Sequence, residues 1–225
     1  MARPSEAQLR RALVAVCQRL HARDLIGAGE GNVSCRLARG RLLVTPSGVE
    51  KASLRPADLL VVTEAGEKVR GRGRPTSELP MHLAVYAARP EVEAVVHAHP
   101  LTAVALTVAG APPPDDLLPE AAVVLGKIAL APFATPGTAE VPASLAPFLG
   151  RHDVLLLERH GALALGRTLG EACDRLETLE RVARVAFLAR QLGRCEPLPP
   201  AAVEKVLAAA HEAGLTGRQG RAPRR

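Results

Sequence analysis

The segment Ala94–Pro100, AVVHAHP, ends an apolar run on two histidines separated by one residue. Alternate residues of a strand share a face, so His97 and His99 would aim both imidazoles at one point, as paired metal ligands do. A third histidine, His160, stands between the apolar run VLLLE and Gly161, a place where a side chain can project from the end of a sheet while the glycine lets the backbone turn. Glu78 follows Pro75-Thr76-Ser77 at the start of a helical pattern, where it can serve as a carboxylate ligand or a general base. Catalytic zinc commonly takes three protein ligands and keeps one position open, a count that three histidines meet. Each residue alone has a plainer reading: a satisfied core histidine, a polar turn residue, or a first-turn glutamate capped by Thr76 or Ser77.

Three further segments combine glycine with small hydroxyl or amide side chains: Gly29-Glu30-Gly31-Asn32-Val33-Ser34, Thr45-Pro46-Ser47-Gly48 and Thr76-Ser77. Backbone N–H groups and small donors in such loops can hold a phosphate, although each segment alone is more often just a turn. Their joint presence beside a possible three-histidine site gives them weight.

The elements that must position these residues alternate along the chain. Residues 5 to 22 carry Leu9, Leu13, Val16, Cys17 and Leu20 at helical spacing behind a Ser-Glu start. GAGEGNVSCRL, RLLVTPSG and DLLVVTEAGEKV suggest two or three strands. Ser77 to Ala88 reads as a helix closed by Arg89-Pro90, and AVVHAHP as a buried strand. Short helices are expected at Thr102 to Ala109 and Ser144 to Leu149, around the proline-rich loop GAPPPDDLLPE. DVLLLERHGALALG reads as two strands broken at His160-Gly161, and Leu169 to Leu192 is the longest helical pattern. This alternation, without repeat or linker, predicts one α/β domain over residues 1–215 with a basic tail at 216–225.

Composition narrows the functional classes. The apolar share is 48% but aromatics are 2%, with no Trp, so a core must be built from Ala, Val and Leu. Four of the charges behind the net +6, those of Arg218, Arg221, Arg224 and Arg225, lie in the tail, and removing them leaves +2 for the body. With one Tyr and three Phe there is no set of stacking aromatics beside a basic groove, so nucleic acid is not an expected partner. No apolar run approaches the ~20 residues a membrane span needs. Cys17, Cys35, Cys173 and Cys195 form no C-x-x-C pair, which suits a reducing, cytoplasmic setting.

Taken in order, GNVS at Gly31–Ser34, TPSG at Thr45–Gly48, TSE at Thr76–Glu78, HAHP at His97–Pro100 and RHG at Arg159–Gly161 resemble the class II aldolase/adducin family, most closely its fuculose-1-phosphate aldolase type. The resemblance covers roughly residues 5 to 210. It implies a three-layer α/β/α domain with a central, mostly antiparallel sheet, assembled as a homotetramer with active sites at subunit interfaces. It implies Zn2+ held by His97, His99 and His160, with Glu78 as the catalytic acid/base that also approaches the metal. Gly31, Asn32, Ser47, Gly48, Thr76 and Ser77 match the family's phosphate-binding positions. The implied reaction cleaves a ketose 1-phosphate to dihydroxyacetone phosphate and an aldehyde. Pentulose-phosphate 4-epimerases, a methylthioribulose-phosphate dehydratase branch and adducin-like binding modules share the scaffold. One departure stands out: fuculose-type members carry a tyrosine in the loop after the two histidines, whereas GAPPPDDLLPEAA has none and offers Asp115, Asp116 and Glu120.

Overall fold

The computed structural model describes residues 3–215. The basic tail expected from Arg218, Arg221, Arg224 and Arg225 lies outside the described residues.

Helix α1 (Glu6–Ala22) starts where the sequence says it should. The Ser5 hydroxyl accepts from the Gln8 N–H at 3.3 Å and the Gln8 side chain accepts from the Ser5 N–H at 2.8 Å, a reciprocal cap. Its inner face buries Leu13, Val16, Cys17 and Leu20. The stretch read as two or three strands contains four: β1 (Asn32–Leu37), β2 (Arg41–Val44), β3 (Leu60–Thr63) and the short edge strand β4 (Lys68–Arg70). β4 is fully exposed and carries Lys68 and Arg70, which explains its faint signal and protects the open edge from pairing.

There follow α2 (Leu79–Ala88), β5 (Ala94–Ala98), α3 (Leu101–Val108), β6 (Ile128–Ala131), α4 (Glu140–Leu149), β7 (Val154–Leu157), β8 (Gly161–Gly166) and α5 (Leu169–Gln191). Helix α4 begins four residues earlier than expected, because Pro142 sits in its first turn, where a missing N–H costs no hydrogen bond. A last helix, α6 (Pro200–Glu212), was not expected; Pro200 at its first position was the available signal.

The strands form one sheet in the order β4-β3-β2-β1-β5-β8-β7-β6, antiparallel throughout except for the β6–β7 pair. Helices α1, α3 and α5 cover one face, and α2 and α4 the other. The three-layer architecture with a mostly antiparallel sheet is therefore present. Strand β5 serves both layers: Ala94, Val96 and Ala98 enter the core under α5, while Val95 joins Leu163 and Leu165 under α2. That alternation puts His97 on the α2 side, at the end of the sheet where α2 begins.

Candidate active site

His97 closes β5 fully buried, and His99 follows just beyond the strand with its N–H bonded to Leu25 O at 2.8 Å. Both imidazoles turn to the same side, as the strand period requires. His160 ends the three-residue turn between β7 and β8. The left-handed residue of that turn is Arg159, with φ +57°, and its N–H is held by the Thr107 hydroxyl at 3.0 Å. Gly161 therefore has a role other than the turning expected of it. A Cβ there would lie 2.6 Å from Ala98 O and within 2.9 Å of the His99 and His97 rings, so only glycine lets β8 close against β5 behind the histidines.

Three ring centroids stand 4.9, 4.9 and 5.2 Å apart, and Glu78 completes the group with ligand atoms all within 4.8 Å of one another. His97 Nε2 lies 3.0 Å from His99 Nε2 and 3.2 Å from Glu78 Oε2, and His160 Nε2 lies 3.3 Å from Glu78 Oε1. Zn–N bonds of about 2.0–2.1 Å in a tetrahedron put ligand atoms roughly 3.3–3.5 Å apart, close to these spacings. The His97 Nδ1–H must donate to Ala162 O at 3.0 Å, since a carbonyl only accepts, and this leaves the Nε2 lone pair facing the cluster. Two imidazole nitrogens at 3.0 Å need a proton or a cation between them. Among the described residues, Glu78 Oε1 and His160 Nδ1 are the buried side-chain polar atoms without a hydrogen-bond partner. On all these counts the donor set fits a divalent cation.

Burial alone would raise the Glu78 carboxyl, but nearby His160 and His97, with the Asn32 amide, outweigh it and hold the group well below the usual carboxylate range. Burial and the two neighbouring imidazoles push His99 down to about 4. Glu78 is thus held as a carboxylate and His99 as a neutral imidazole, the protonation states metal ligation needs. Glu78 is not the first-turn helix residue of the plainer reading. It is the residue before α2, makes no side-chain cap, and its backbone N–H donates to the Thr76 hydroxyl at 3.2 Å.

Of the six residues expected at a phosphate, Gly31 and Asn32 open β1 beside His97, Ser47 and Gly48 follow β2, and Thr76 and Ser77 precede α2. Backbone bonds from Thr45 N to Val33 O and from Thr76 N to Thr45 O, both 3.1 Å, bring the three segments to the same sheet end as the histidines. Gly31 has φ +66°, and a Cβ there would strike Ile26 Cγ2 at 2.5 Å. Buried Lys51, absent from the sequence reading, ties two of these loops together by donating to Val49 O at 2.7 Å and Gly29 O at 3.3 Å. The Asn32 side chain is engaged elsewhere: its Nδ2 donates to Glu78 Oε2 at 2.8 Å. In the proline-rich loop, Asp115 pairs with Lys127 at 2.7 Å.

The sequence profile of the class II aldolase and adducin N-terminal domain matches residues 11–187. The chain belongs to that family. It is 36% identical over 204 residues to a protein of Rhodospirillum rubrum named 5-methylthioribulose-1-phosphate/5-deoxyribulose-1-phosphate aldolase, covering 90% of this chain and 91% of the relative. A 3-oxo-tetronate 4-phosphate decarboxylase of Cupriavidus necator is 34% identical over 80% of this chain and 84% of its own. The crystal structure of L-fuculose-1-phosphate aldolase from Thermus thermophilus superposes with a TM-score of 0.75 at 34% identity, covering 86% of this chain and all of that one. This family is metal-dependent, its aldolases act on phosphorylated sugars, and the chain is a class II aldolase-type lyase. No helix among the described residues is long and apolar enough to cross a membrane.

The sequence reading missed His82, Ser34 and the role of Tyr86. All three are buried behind Glu78. The one signal was spacing: His82 lies four residues after Glu78, on the same side of the helix start.

Proposed function

We propose that this enzyme is a zinc-dependent aldolase that cleaves a ketose 1-phosphate, such as a fuculose- or ribulose-type 1-phosphate, into dihydroxyacetone phosphate and an aldehyde. The observation that carries the reading is the convergence of three imidazoles on a carboxylate, one oxygen of which makes no hydrogen bond. His97, His99 and His160 would hold the cation. Once bound, it would supply Lewis-acid polarisation of the ketone and neighbouring hydroxyl oxygens.

The remaining chemistry belongs to the chain. Gly31, Ser47, Gly48, Thr76 and Ser77 would seat the phosphate, with backbone N–H groups and short hydroxyls as donors. Cleavage of the bond between carbons three and four turns the carbon-four hydroxyl into the aldehyde oxygen, its proton passing to the Glu78 carboxylate, and leaves the bond's electron pair on carbon three. Glu78 returns that proton there from Oε1, the oxygen that makes no hydrogen bond and faces His160 Nε2 at 3.3 Å, while Oε2 stays on Asn32 and His97. In the synthetic direction the same oxygen removes that proton. A homotetramer with sites at subunit interfaces accompanies this reading; apolar Val108, Phe187 and Leu188, exposed on the neighbouring helices α3 and α5, support it.

A second reading is supported by the decarboxylase relative. The names 5-methylthioribulose 1-phosphate and 3-oxo-tetronate 4-phosphate describe one shared fragment, a phosphorylated CH2 beside a ketone beside a CHOH, which differs in what leaves: an aldehyde or CO2. A site that binds this fragment and protonates the CHOH carbon serves both. The test is a panel of ketose 1-phosphates and 3-oxo-tetronate 4-phosphate, with dihydroxyacetone phosphate measured by coupled reduction and metal content measured alongside. Release with an aldehyde supports the aldolase and release with CO2 the decarboxylase. Epimerisation or water loss without that product would sink both.

A further inference from the structure

Behind Glu78 runs a single file of buried hydrogen bonds that reaches no solvent-exposed side chain. Asn32 Nδ2 lies 2.8 Å from Glu78 Oε2, Asn32 Oδ1 lies 2.5 Å from His82 Nε2, His82 Nδ1 lies 2.7 Å from Ser34 Oγ, and Ser34 Oγ lies 2.8 Å from Tyr86 Oη. Chemistry fixes the direction of every link. A carboxylate only accepts, so the Asn32 amide nitrogen must face Glu78 and its carbonyl must face His82. The carbonyl in turn requires a proton on His82 Nε2, which makes Nδ1 an acceptor for the Ser34 hydroxyl, and Ser34 accepts from Tyr86. None of the middle members, Asn32, His82 and Ser34, can rotate or change tautomer without breaking two bonds at once. His82 and Ser34 have no exposed surface, so water cannot replace a lost partner.

The consequence falls on Glu78. With Oε2 pinned by Asn32, the carboxylate presents the other oxygen, Oε1, which has no hydrogen-bond partner. We propose that His82 is a positioning residue, which locks the Asn32 amide so that Glu78 keeps Oε2 anchored and offers Oε1 to the reacting carbon. This rests on the proton-transfer role given to Glu78 above. Without the His82 N–H, the Asn32 carbonyl loses its partner and the amide is free to swing off the carboxylate, which releases Oε2 and lets Glu78 leave its place.

Two variants separate positioning from packing. His82→Leu fills the volume without a donor, and His82→Gln puts an amide N–H near the position of Nε2. Two readouts are used, both on full-length cobalt(II)-loaded protein: exchange of the carbon-three proton of dihydroxyacetone phosphate with D2O, and the visible cobalt band, which needs no substrate. For His82→Leu the exchange kcat is expected to fall roughly 10- to 100-fold at unchanged KM, the loss typical of a misplaced catalytic group, with an altered band; His82→Gln should restore both. Wild-type exchange in folded, metal-loaded His82→Leu overturns the proposal, and so does an equal loss in both variants. If the wild type binds cobalt but exchanges no proton, the aldolase reading fails by itself, and the band alone then decides whether His82 controls Glu78. If His82→Leu does not fold, Ser34→Ala, which releases the tautomer, replaces it: a smaller fall in the same direction is expected, and an unchanged rate overturns the proposal.

Discussion

Where β5 begins and β8 ends, Arg89 and Glu171 join the buried Asp153 and Arg175 in a charged cluster; at the other end of the same two strands stand Glu78 and the three histidines. Both are buried and both carry charge. In the first, Asp153 Oδ1 meets Arg89 at 2.7 Å, Oδ2 meets Arg175 at 3.1 Å, and Arg175 also meets Glu171 at 2.9 Å. Spare guanidinium protons go to the carbonyls of Leu149, His152, Val124 and Leu165. In the second, a carboxylate oxygen and an imidazole nitrogen have no hydrogen-bond partner. Charge whose every donor and acceptor is satisfied clamps a fold, whereas charge left open at comparable burial is held ready for something that arrives from outside. The closed cluster joins α5, β7 and the end of α2; the open one joins the loops at the opposite end of the sheet.

The contrast makes graded predictions. The largest effect is expected from Glu78→Gln, which should lower kcat about 10²- to 10⁴-fold, the usual contribution of a general acid/base, while the urea midpoint stays near wild type. A variant that loses its fold instead would put Glu78 on the structural side. Asp153→Ala should do the reverse, costing about 3–5 kcal/mol of unfolding free energy by stranding two buried guanidinium groups while turnover per folded molecule survives. Equal losses of rate and stability would erase the distinction. Gly161→Ala sits between the two: crowding Ala98 O and both rings should cost roughly 1–3 kcal/mol and also weaken metal retention in a chelator competition.

The metal-free protein should also show a pH dependence. Burial pushes His82 down to about 3, and burial with the neighbouring imidazoles pushes His99 to about 4, both below their ordinary 6.5. Between those values the unfolded chain binds protons that the folded one refuses, so stability should fall as pH drops from 6.5 towards 4, by at most about 1.4 kcal/mol per pH unit for each group. The depressed Glu78 carboxyl adds a loss of the same sign below 4.5. Urea midpoints that stay flat from pH 7 to 4.5 would mean that these rings are not held neutral.

The two clusters were unequally legible in the sequence. His97 and His99 could be placed on one face from strand period alone, and the ordered motifs joined them to His160 and Glu78. Nothing comparable marks Asp153 and Arg175, whose pairing depends on how α5 lies across β8, a packing outcome with no sequence period. The His82 file was hidden for a related reason. Asn32, Ser34 and His82 meet only because β1 runs beside β5 under α2, and a lone histidine in a helix carries no spacing rule of its own. Glycine was misread in kind: Gly161 was expected to turn the chain, yet the turn is made by Arg159 and the glycine makes room for two rings.

The bond from His97 to Ala162 spans 65 residues of chain, and it fixes the face that His97 turns to Glu78 and the other two histidines. Two of the three histidines thus leave the ribosome well before their third partner, and they acquire their ligand geometry only when β8 zips onto β5. Capture of a metal by this cluster would therefore come late in folding, and its onset would be a clock for the moment at which the two halves of the sheet join.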